Sequence, residues 1–221
     1  MKKQVGILLD SSCVTKQIDE LIKLSKQSSS YQITTLVINN IKKDKKNVFK
    51  ILIKSIKQKG LKRLLEALSF KIICKLESFV LKRFKKFSRF YDKYQINEKD
   101  YNVINVIPNI SQSGLFYSYR DQDIKKIKGA KLDLLIRAGS GILSGNILRA
   151  CPNGIISFHH GDNNTKRGGP AGFWEVYEKN PKTGFVVQRL GEELDGGDVL
   201  YRGFVRTRWF YSLNKASLYE I

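Results

Sequence analysis

The chain has little of what several common protein classes require. Its three cysteines, Cys13, Cys74 and Cys151, stand far apart and form no paired ligand spacing, which excludes a disulfide-stapled scaffold and a cysteine-based zinc module. No uninterrupted apolar run reaches the roughly 18 residues of a membrane-spanning helix. Neither GxGxxG nor GxxxxGK follows the first apolar run, so no dinucleotide or P-loop site is read there. Acid is scarce as well: 20 Asp and Glu stand against 40 Lys and Arg, leaving a net charge of +20. Histidine occurs only twice, as the adjacent pair His159-His160.

What is present describes a folded body with a basic surface. Hydrophobic residues make up 42% of the 221 positions, too many for a disordered chain, and the length suits one sizeable domain that buries its own core. Such charge suits anionic partners, whether nucleotides, nucleic acid or a membrane surface. A lysine-rich genome explains it equally well. Met1-Lys2-Lys3-Gln4 leads straight into a strand without a signal peptide, so reducing cytoplasm is the expected compartment.

In order, Val5 to Leu9 is an apolar strand with Gly6 inside it, where close backbone packing explains the glycine. A helix is expected from about Val14 to Gln27 with Ile18, Leu21, Ile22 and Leu24 on its buried side. Tyr31 to Ile38 reads as a second strand, and this strand, helix, strand opening indicates a parallel sheet. From Lys42 to Lys99 the character changes: 19 Lys or Arg and 5 Asp or Glu place 19 − 5 = +14 of the charge here. Two helical pieces are expected, about Val48 to Gln58 and Leu61 to Tyr91, parted by Gly60. In the second, Leu61, Leu64, Leu65, Leu68, Ile72, Leu76, Phe79, Val80, Phe84 and Phe87 follow three-and-four spacing between basic residues. A basic amphipathic helix of this kind serves as a membrane-surface or nucleic-acid arm, or packs on the sheet with a solvated outer face. The packed helix is the favoured reading.

Tyr101 to Ile107 is a third strand, Asn109 to Gly114 a polar loop, Asp121 to Lys128 a short helix, and Leu132 to Ile136 a central strand. Arg137-Ala138-Gly139-Ser140-Gly141 then turns into a helix ending near Ala150. Ile155 to Phe158 delivers His159 and His160 to a polar, glycine-rich loop. Thr183 to Leu190 and Val199 to Val205 are strands flanking a loop that holds Glu192, Glu193, Asp195 and Asp198. Read from the residues alone, His159 is a core histidine, a metal ligand or a catalytic base. Metal binding is the weakest of these, because adjacent strand residues face opposite ways and no nearby Cys or Glu completes a ligand set.

Several ordered elements together carry a resemblance. Ser157-Phe158-His159, Arg167-Gly168-Gly169-Pro170, Thr183-Gly184 and Leu194-Asp195-Gly196-Gly197-Asp198 resemble the folate-dependent formyltransferase domain of methionyl-tRNA formyltransferase, glycinamide ribonucleotide transformylase and sugar-nucleotide N-formyltransferases. His159 and Asp195 lie 195 − 159 = 36 positions apart, close to that family's separation. The resemblance implies an α/β, Rossmann-like formyltransferase fold: a mostly parallel central sheet flanked by helices, with residues 1–221 as one domain carrying a basic helical insertion at about 42–99. It implies 10-formyltetrahydrofolate as formyl donor, whose glutamate tail also suits the basic charge, and no metal. His159, oriented by Asp195, becomes the catalytic histidine. Where the family has asparagine this chain has Ser157, a shorter single donor, leaving the oxyanion to His159, backbone amides or a bridging water.

The glycine turn of Gly139 and Gly141 corresponds to the family's pterin pocket, and Gly191 and Gly196 are expected to border the folate as well. A tight strand-to-helix turn explains Gly139 and Gly141 equally well. Arg167 is read as holding an anionic group of the acceptor or as a solvated surface arginine. Trp174 anchors a helix start or walls the acceptor cleft, and His160 faces away from His159 as a structural or substrate-side residue. Asp-Gly pairs form turns in their own right, and Asp198 is read as shaping the loop.

The expected acceptor is an amino sugar on a nucleotide, as in surface polysaccharide assembly. Methionyl-tRNA formyltransferase chemistry, formyltetrahydrofolate hydrolysis and a non-catalytic nucleotide- or nucleic-acid-binding relative remain alternatives. Ser217-Leu218-Tyr219-Glu220-Ile221 reads as an interrupted helix, which leaves a missing carboxy-terminal portion open.

Overall fold

The computed structural model describes residues 2–41, 48–162, 170–193 and 196–220, with side chains left aside at 48–61, 63, 64, 86 and 90. Its centre is a seven-stranded sheet built from β1 (Lys3–Leu9), β2 (Tyr31–Asn39), β3 (Asn102–Val106), β4 (Leu134–Arg137), β5 (Ile155–His159), β6 (Lys182–Arg189) and β7 (Asp198–Arg206). In space the order is β7-β6-β5-β4-β1-β2-β3. The first five strands run parallel, whereas β6 is antiparallel to β5 and β7 to β6. This is the α/β architecture expected from the alternation of apolar runs and helices.

The apolar composition of the central strands follows from burial on both faces. On one face Leu8, Val37, Val106, Leu135 and Ile155 meet Ile124 and Ile127 of helix α3 (Asp121–Gly129), together with Ile147 and Leu148. On the other face Val5, Ile7, Leu9, Leu36 and Ile38 meet helix α1 (Lys16–Gln27). Gly6 is explained by close approach: a Cβ there would stand 2.6 Å from Leu132 Cδ1 and 2.9 Å from Leu135 Cδ1.

Four expectations are corrected. Leu24 is 59% exposed, and Ser25 takes its place beside the 5%-exposed Ile22 on the buried side of α1. The segment after Gly141 forms no α-helix. Ile142–Leu143 pairs with Phe116–Tyr117 in a small sheet, and a 3-10 turn, Gly145–Arg149, follows. Gly141 and Gly145 both have φ in the left-handed region, at 78° and 75°, which interrupts the helical path there. Asn109 to Gly114 is more than a loop, because Asn109–Ile110 pairs with Tyr117–Ser118.

The fourth correction concerns the basic insertion. Its described part is one helix, α2 (Val48–Arg83), unbroken at Gly60, rather than two pieces. The apolar stripe is not its packed side. Leu65, Leu68, Ile72, Leu76, Phe79, Val80 and Phe84 are exposed, while Leu81 is buried and Phe70, Cys74 and Glu77 are half-buried. Leu61 and Leu64 of the expected stripe lie outside the described side chains.

That second side docks on helix α5 (Tyr211–Leu218). The Phe70 ring lies 5.3 Å from Tyr211 and 5.3 Å from Phe173. Glu77 accepts the Ser212 backbone N–H at 2.9 Å, which satisfies one of the donors a helix start leaves free. An aromatic edge contact and a charged cap supply more directional attachment than aliphatic side chains alone.

The corrected burial on α1 is measurable. Ile22→Ala should cost roughly 2–4 kcal/mol of unfolding free energy, as a large-to-small core substitution, while Leu24→Ser should stay within about 0.5 kcal/mol. Urea denaturation of the two variants checks this, and the reverse order would contradict the burial described for α1.

Candidate functional site

Strand order reverses on the two sides of β1, since β2 and β3 extend to one side and β4 and β5 to the other. In open parallel sheets the crevice at the carboxyl ends of such strands is where ligands bind. Asp10 follows the end of β1, Asn39 ends β2, Arg137 ends β4, and Ser157 and His159 lie at the end of β5. The carboxyl edge thus gathers acid, amide, guanidinium, hydroxyl and imidazole within one region.

Asp10 organises the side of this edge nearest β2. Its Oδ1 accepts from Asn39 Nδ2 at 3.0 Å and its Oδ2 from the Ser140 backbone N–H at 2.7 Å. Asn39 Oδ1 in turn accepts from the Tyr119 hydroxyl at 2.8 Å. Burial pushes the Tyr119 pKa far up, so the phenol stays a donor. Gly139 permits the approach, because a Cβ there would stand 2.8 Å from Asp10 Oδ1. Gly141 combines its left-handed φ with the Tyr117 ring, 2.3 Å from where a Cβ would be. The glycines read as pocket residues are therefore required by packing, and they leave the 137–141 turn close to the strand ends.

Arg137 occupies the centre. It pairs in register with Ser157 across β4 and β5, and its Nη1 donates to Ser157 Oγ at 3.1 Å. Nη2 donates to the Gly141 carbonyl. Its Nε is buried with no hydrogen-bond partner among the described residues. Burial draws the Arg137 pKa below the usual guanidinium range, and the Asp10 charge partly offsets this. At neutral pH it remains a cation.

Ser157 is 2% exposed and also faces Gln188 across β5 and β6. With Arg137 donating to its oxygen, the hydroxyl keeps its own hydrogen for another acceptor. Its contact to the Phe158 carbonyl is long, at 3.4 Å.

The two histidines separate onto opposite sides of the strand end. His159 shares the face of Ser157, is half-buried, and lies against the following loop, where a Cβ on Gly161 would stand 3.1 Å from its Nε2. His160 belongs to an aromatic column: its ring is 3.7 Å from Tyr219 in a stacked arrangement and 4.7 Å from Phe158, which stacks on Phe185 at 5.2 Å. Burial, with the nearby His159, Lys215 and Arg137, holds the His160 pKa down to about 4. Its ring is neutral at pH 7.

The loop after His160 is tied back by Asp162, which pairs with Arg202 of β7 and packs over Gly184. At the β6–β7 connection Gly191 and Gly196 lie side by side, and a Cβ on Gly197 would strike the Arg189 carbonyl oxygen at 2.1 Å. Trp174 sits on the one-turn helix α4 (Phe173–Tyr177), half-buried and edge-on to Phe173 at 5.3 Å and Tyr177 at 5.9 Å. Asp195 and Arg167 lie outside the described residues. Of the residues singled out from sequence, Ser157, Gly139 and Gly141 therefore converge around Arg137, whereas His160 and Trp174 belong to aromatic clusters. Sequence reasoning passed over Arg137 and Asp10. The available signal was a charged residue closing an otherwise apolar strand.

The fold of this chain has known counterparts. Glycinamide ribonucleotide transformylase 1 from Symbiobacterium toebii superposes with a TM-score of 0.57 at 13% identity, covering 100% of this chain and 84% of that one. Phosphoribosylglycinamide formyltransferase from Bacillus halodurans gives 0.55 at 15% identity, covering 99% and 91%. Formyltetrahydrofolate deformylase from Pseudomonas syringae pv. tomato gives 0.55 at 15% identity, covering 99% of this chain and 56% of that one. The fold is that of the formyltransferases. The sequence matches no protein-family model and has no significant match to a curated protein. The formyltransferase fold is thus shown by architecture, and the chemistry rests on the residues at its carboxyl edge.

The half-buried His160 ring, covered by Tyr219 and Phe158, makes stability depend on acid. Its folded pKa of about 4 lies below the unfolded value of 6.5, so only the unfolded chain takes up a proton between those values. Stability from this group is full above pH 6.5 and is lost as pH falls towards 4, by about 3 kcal/mol at most. His160→Phe should flatten that part of the stability curve relative to the parent, measured by denaturant unfolding at pH 7, 5.5 and 4.5. Parallel curves for the two proteins would rule out the neutral buried ring.

Proposed function

We propose that the protein is a folate-dependent formyltransferase that moves the formyl group of 10-formyltetrahydrofolate to an amine, with an amino-sugar nucleotide as acceptor. The observation that carries this reading is the placement of Ser157 and His159 on one face at the end of β5, beside the half-buried cation Arg137, in a fold shared with glycinamide ribonucleotide transformylase. Gly139 and Gly141 hold the 137–141 turn close to the strand ends, where the donor would enter. Free cysteines at 13, 74 and 151 agree with a reducing cytoplasm.

The donor supplies a formyl carbon, and the residues supply charge and proton control. A neutral acceptor amine attacks that carbon while negative charge gathers on the formyl oxygen. His159, oriented by Asp195, stabilises that oxygen and conducts the proton from the attacking nitrogen to the departing folate nitrogen. Ser157 turns its hydroxyl hydrogen, held only by the long contact to the Phe158 carbonyl, to the same oxygen. Arg137 acts through Ser157: a guanidinium donating to the hydroxyl oxygen makes the hydroxyl a stronger donor. A serine backed by a cation thus substitutes for the carboxamide expected at this position. No covalent enzyme intermediate is needed, and Arg167 holds an anionic group of the acceptor.

Formyltetrahydrofolate hydrolysis is the second reading, since formyltetrahydrofolate deformylase shares the fold. Water would then replace the amine at the same residues. Incubating the protein with 10-formyltetrahydrofolate and a panel of amino-sugar nucleotides, and following tetrahydrofolate release with and without acceptor, separates the two. Release only with acceptor supports transfer, release regardless of acceptor supports hydrolysis, and no release overturns both.

In the same assay His159→Ala should reduce turnover to background with the circular dichroism spectrum unchanged. Ser157→Ala and Arg137→Gln should each lower kcat on the order of 10²-fold, the scale for losing one oxyanion donor. The double variant should lose little more than either single one, because the two residues act as a unit. Independent, multiplicative losses would contradict the role given to Arg137.

A further inference from the structure

Over residues 65–83, about 28 Å of helix at 1.5 Å per residue, α2 has two apolar sides of opposite fate. Phe70, Cys74, Glu77 and Leu81 face the domain through α5. The other side carries Leu65, Leu68, Ile72, Leu76, Phe79 and Val80, each between 39% and 61% exposed. So many large apolar side chains in one exposed row exceed what scattered surface residues explain and mark an interaction surface.

The charges beside that row identify what covers it. Lys62, Lys71, Lys75, Lys82 and Arg83 are all exposed on the same helix, and the Arg83 guanidinium lies over the Phe79 ring at 4.5 Å. Residues 42–99 hold +14 of the chain's +20 charge. A second copy of this helix would bury the row but bring two basic flanks together. Nucleic acid would meet the lysines but leave Leu, Ile and Val in water, because aliphatic side chains offer no stacking plane for bases. An anionic lipid surface satisfies both, taking the apolar row into the acyl boundary while lysines and arginines reach headgroup phosphates. Each basic side chain near such a surface adds attraction.

We propose that the exposed face of α2, from Leu65 to Val80, binds the surface of an anionic membrane. The helix lies on the bilayer rather than through it. Among the described residues no helix is long and apolar enough to cross a membrane. The packed side stays attached to α5, so the domain is held at the lipid surface by one face of one helix. This inference is independent of the formyl-transfer reading, since none of its residues belongs to the carboxyl edge.

The test is vesicle flotation of the full chain, with vesicles of phosphatidylcholine alone and vesicles in which a third of the lipid is phosphatidylglycerol. Binding should be at least tenfold stronger to the anionic vesicles and should weaken in high salt. The triple variant Ile72→Ser, Leu76→Ser, Phe79→Ser should lose at least tenfold in binding, with circular dichroism and melting temperature unchanged because these side chains are exposed. Lys75→Glu with Lys82→Glu should remove the anionic preference. Equal binding to both vesicle types, or full binding by the triple variant, overturns the proposal. So does a stable dimer of the parent, seen by sedimentation velocity, that the triple variant breaks.

Discussion

A guanidinium confined to the inner edge of a parallel sheet sets what can stand around it. Arg137 ends β4, flanked by β1 and β5, so its side chain leaves the strand into the crevice rather than into open water. Burying a cation there is costly unless its donors find acceptors and a compensating charge lies near. Ser157 Oγ and the Gly141 carbonyl take two donors, and Asp10 supplies the charge. The glycines follow from the same requirement. Gly139 lets Asp10 approach, and Gly141 turns its carbonyl towards the guanidinium with a φ that L side chains rarely adopt. A Gly139 or Gly141 with a side chain would push apart the groups gathered around Arg137.

The sheet was largely legible in the sequence because central parallel strands are buried on both faces and read as continuous apolar runs. Val5–Leu9, Tyr31–Ile38 and Ile155–Phe158 each differ from the observed strand by two residues or fewer at either end. Helix faces were less legible where the apolar residues cover much of the circumference. In α2, Leu65, Leu68, Ile72 and Leu76 form the better periodic stripe, yet Phe70, Cys74 and Leu81 form the packed side. Periodicity ranks faces by their apolar content, whereas docking is decided by what the opposing element offers. Here α5 offers Tyr211 to an aromatic ring and the Ser212 amide to a carboxylate, and only the side with Phe70 and Glu77 can use both. Leu24 fails for a related reason: it stands three residues after Leu21, but Ser25 stands four after Leu21 and three after Ile22, and the serine closes its hydroxyl onto the Ile22 carbonyl at 2.7 Å, which makes its burial tolerable.

At the candidate site the position of Ser157 and His159 at a strand end could be read from the chain, but the contact between Ser157 and Arg137 could not. Position 157 alone shows a weaker donor. Its hydrogen-bond partner at position 137 lies 20 residues away in sequence and is brought opposite only by parallel register between β4 and β5. A motif read along the chain contains no information about register. Asp10 escaped for the same reason, since its partners Asn39 and Ser140 come from two further strand ends.

Helix α5 then determines how far the site and the basic insertion are structurally connected. Asn214, fully buried, donates to the Gly172 carbonyl and to Thr183 Oγ1, both at 2.9 Å, and its Oδ1 accepts the Arg208 N–H at 3.0 Å. These bonds fix α5 to the start of α4 and to β6. Tyr211 and Ser212 at one end hold α2, and Tyr219 just past the other end stacks on His160. An eight-residue helix is about 12 Å long at 1.5 Å per residue, and this one is held at both ends and at its middle. Because a buried amide with all three bonds made is costly to break, α5 moves with the sheet. The insertion is therefore attached to the rigid part of the domain, on the side of the sheet opposite His159.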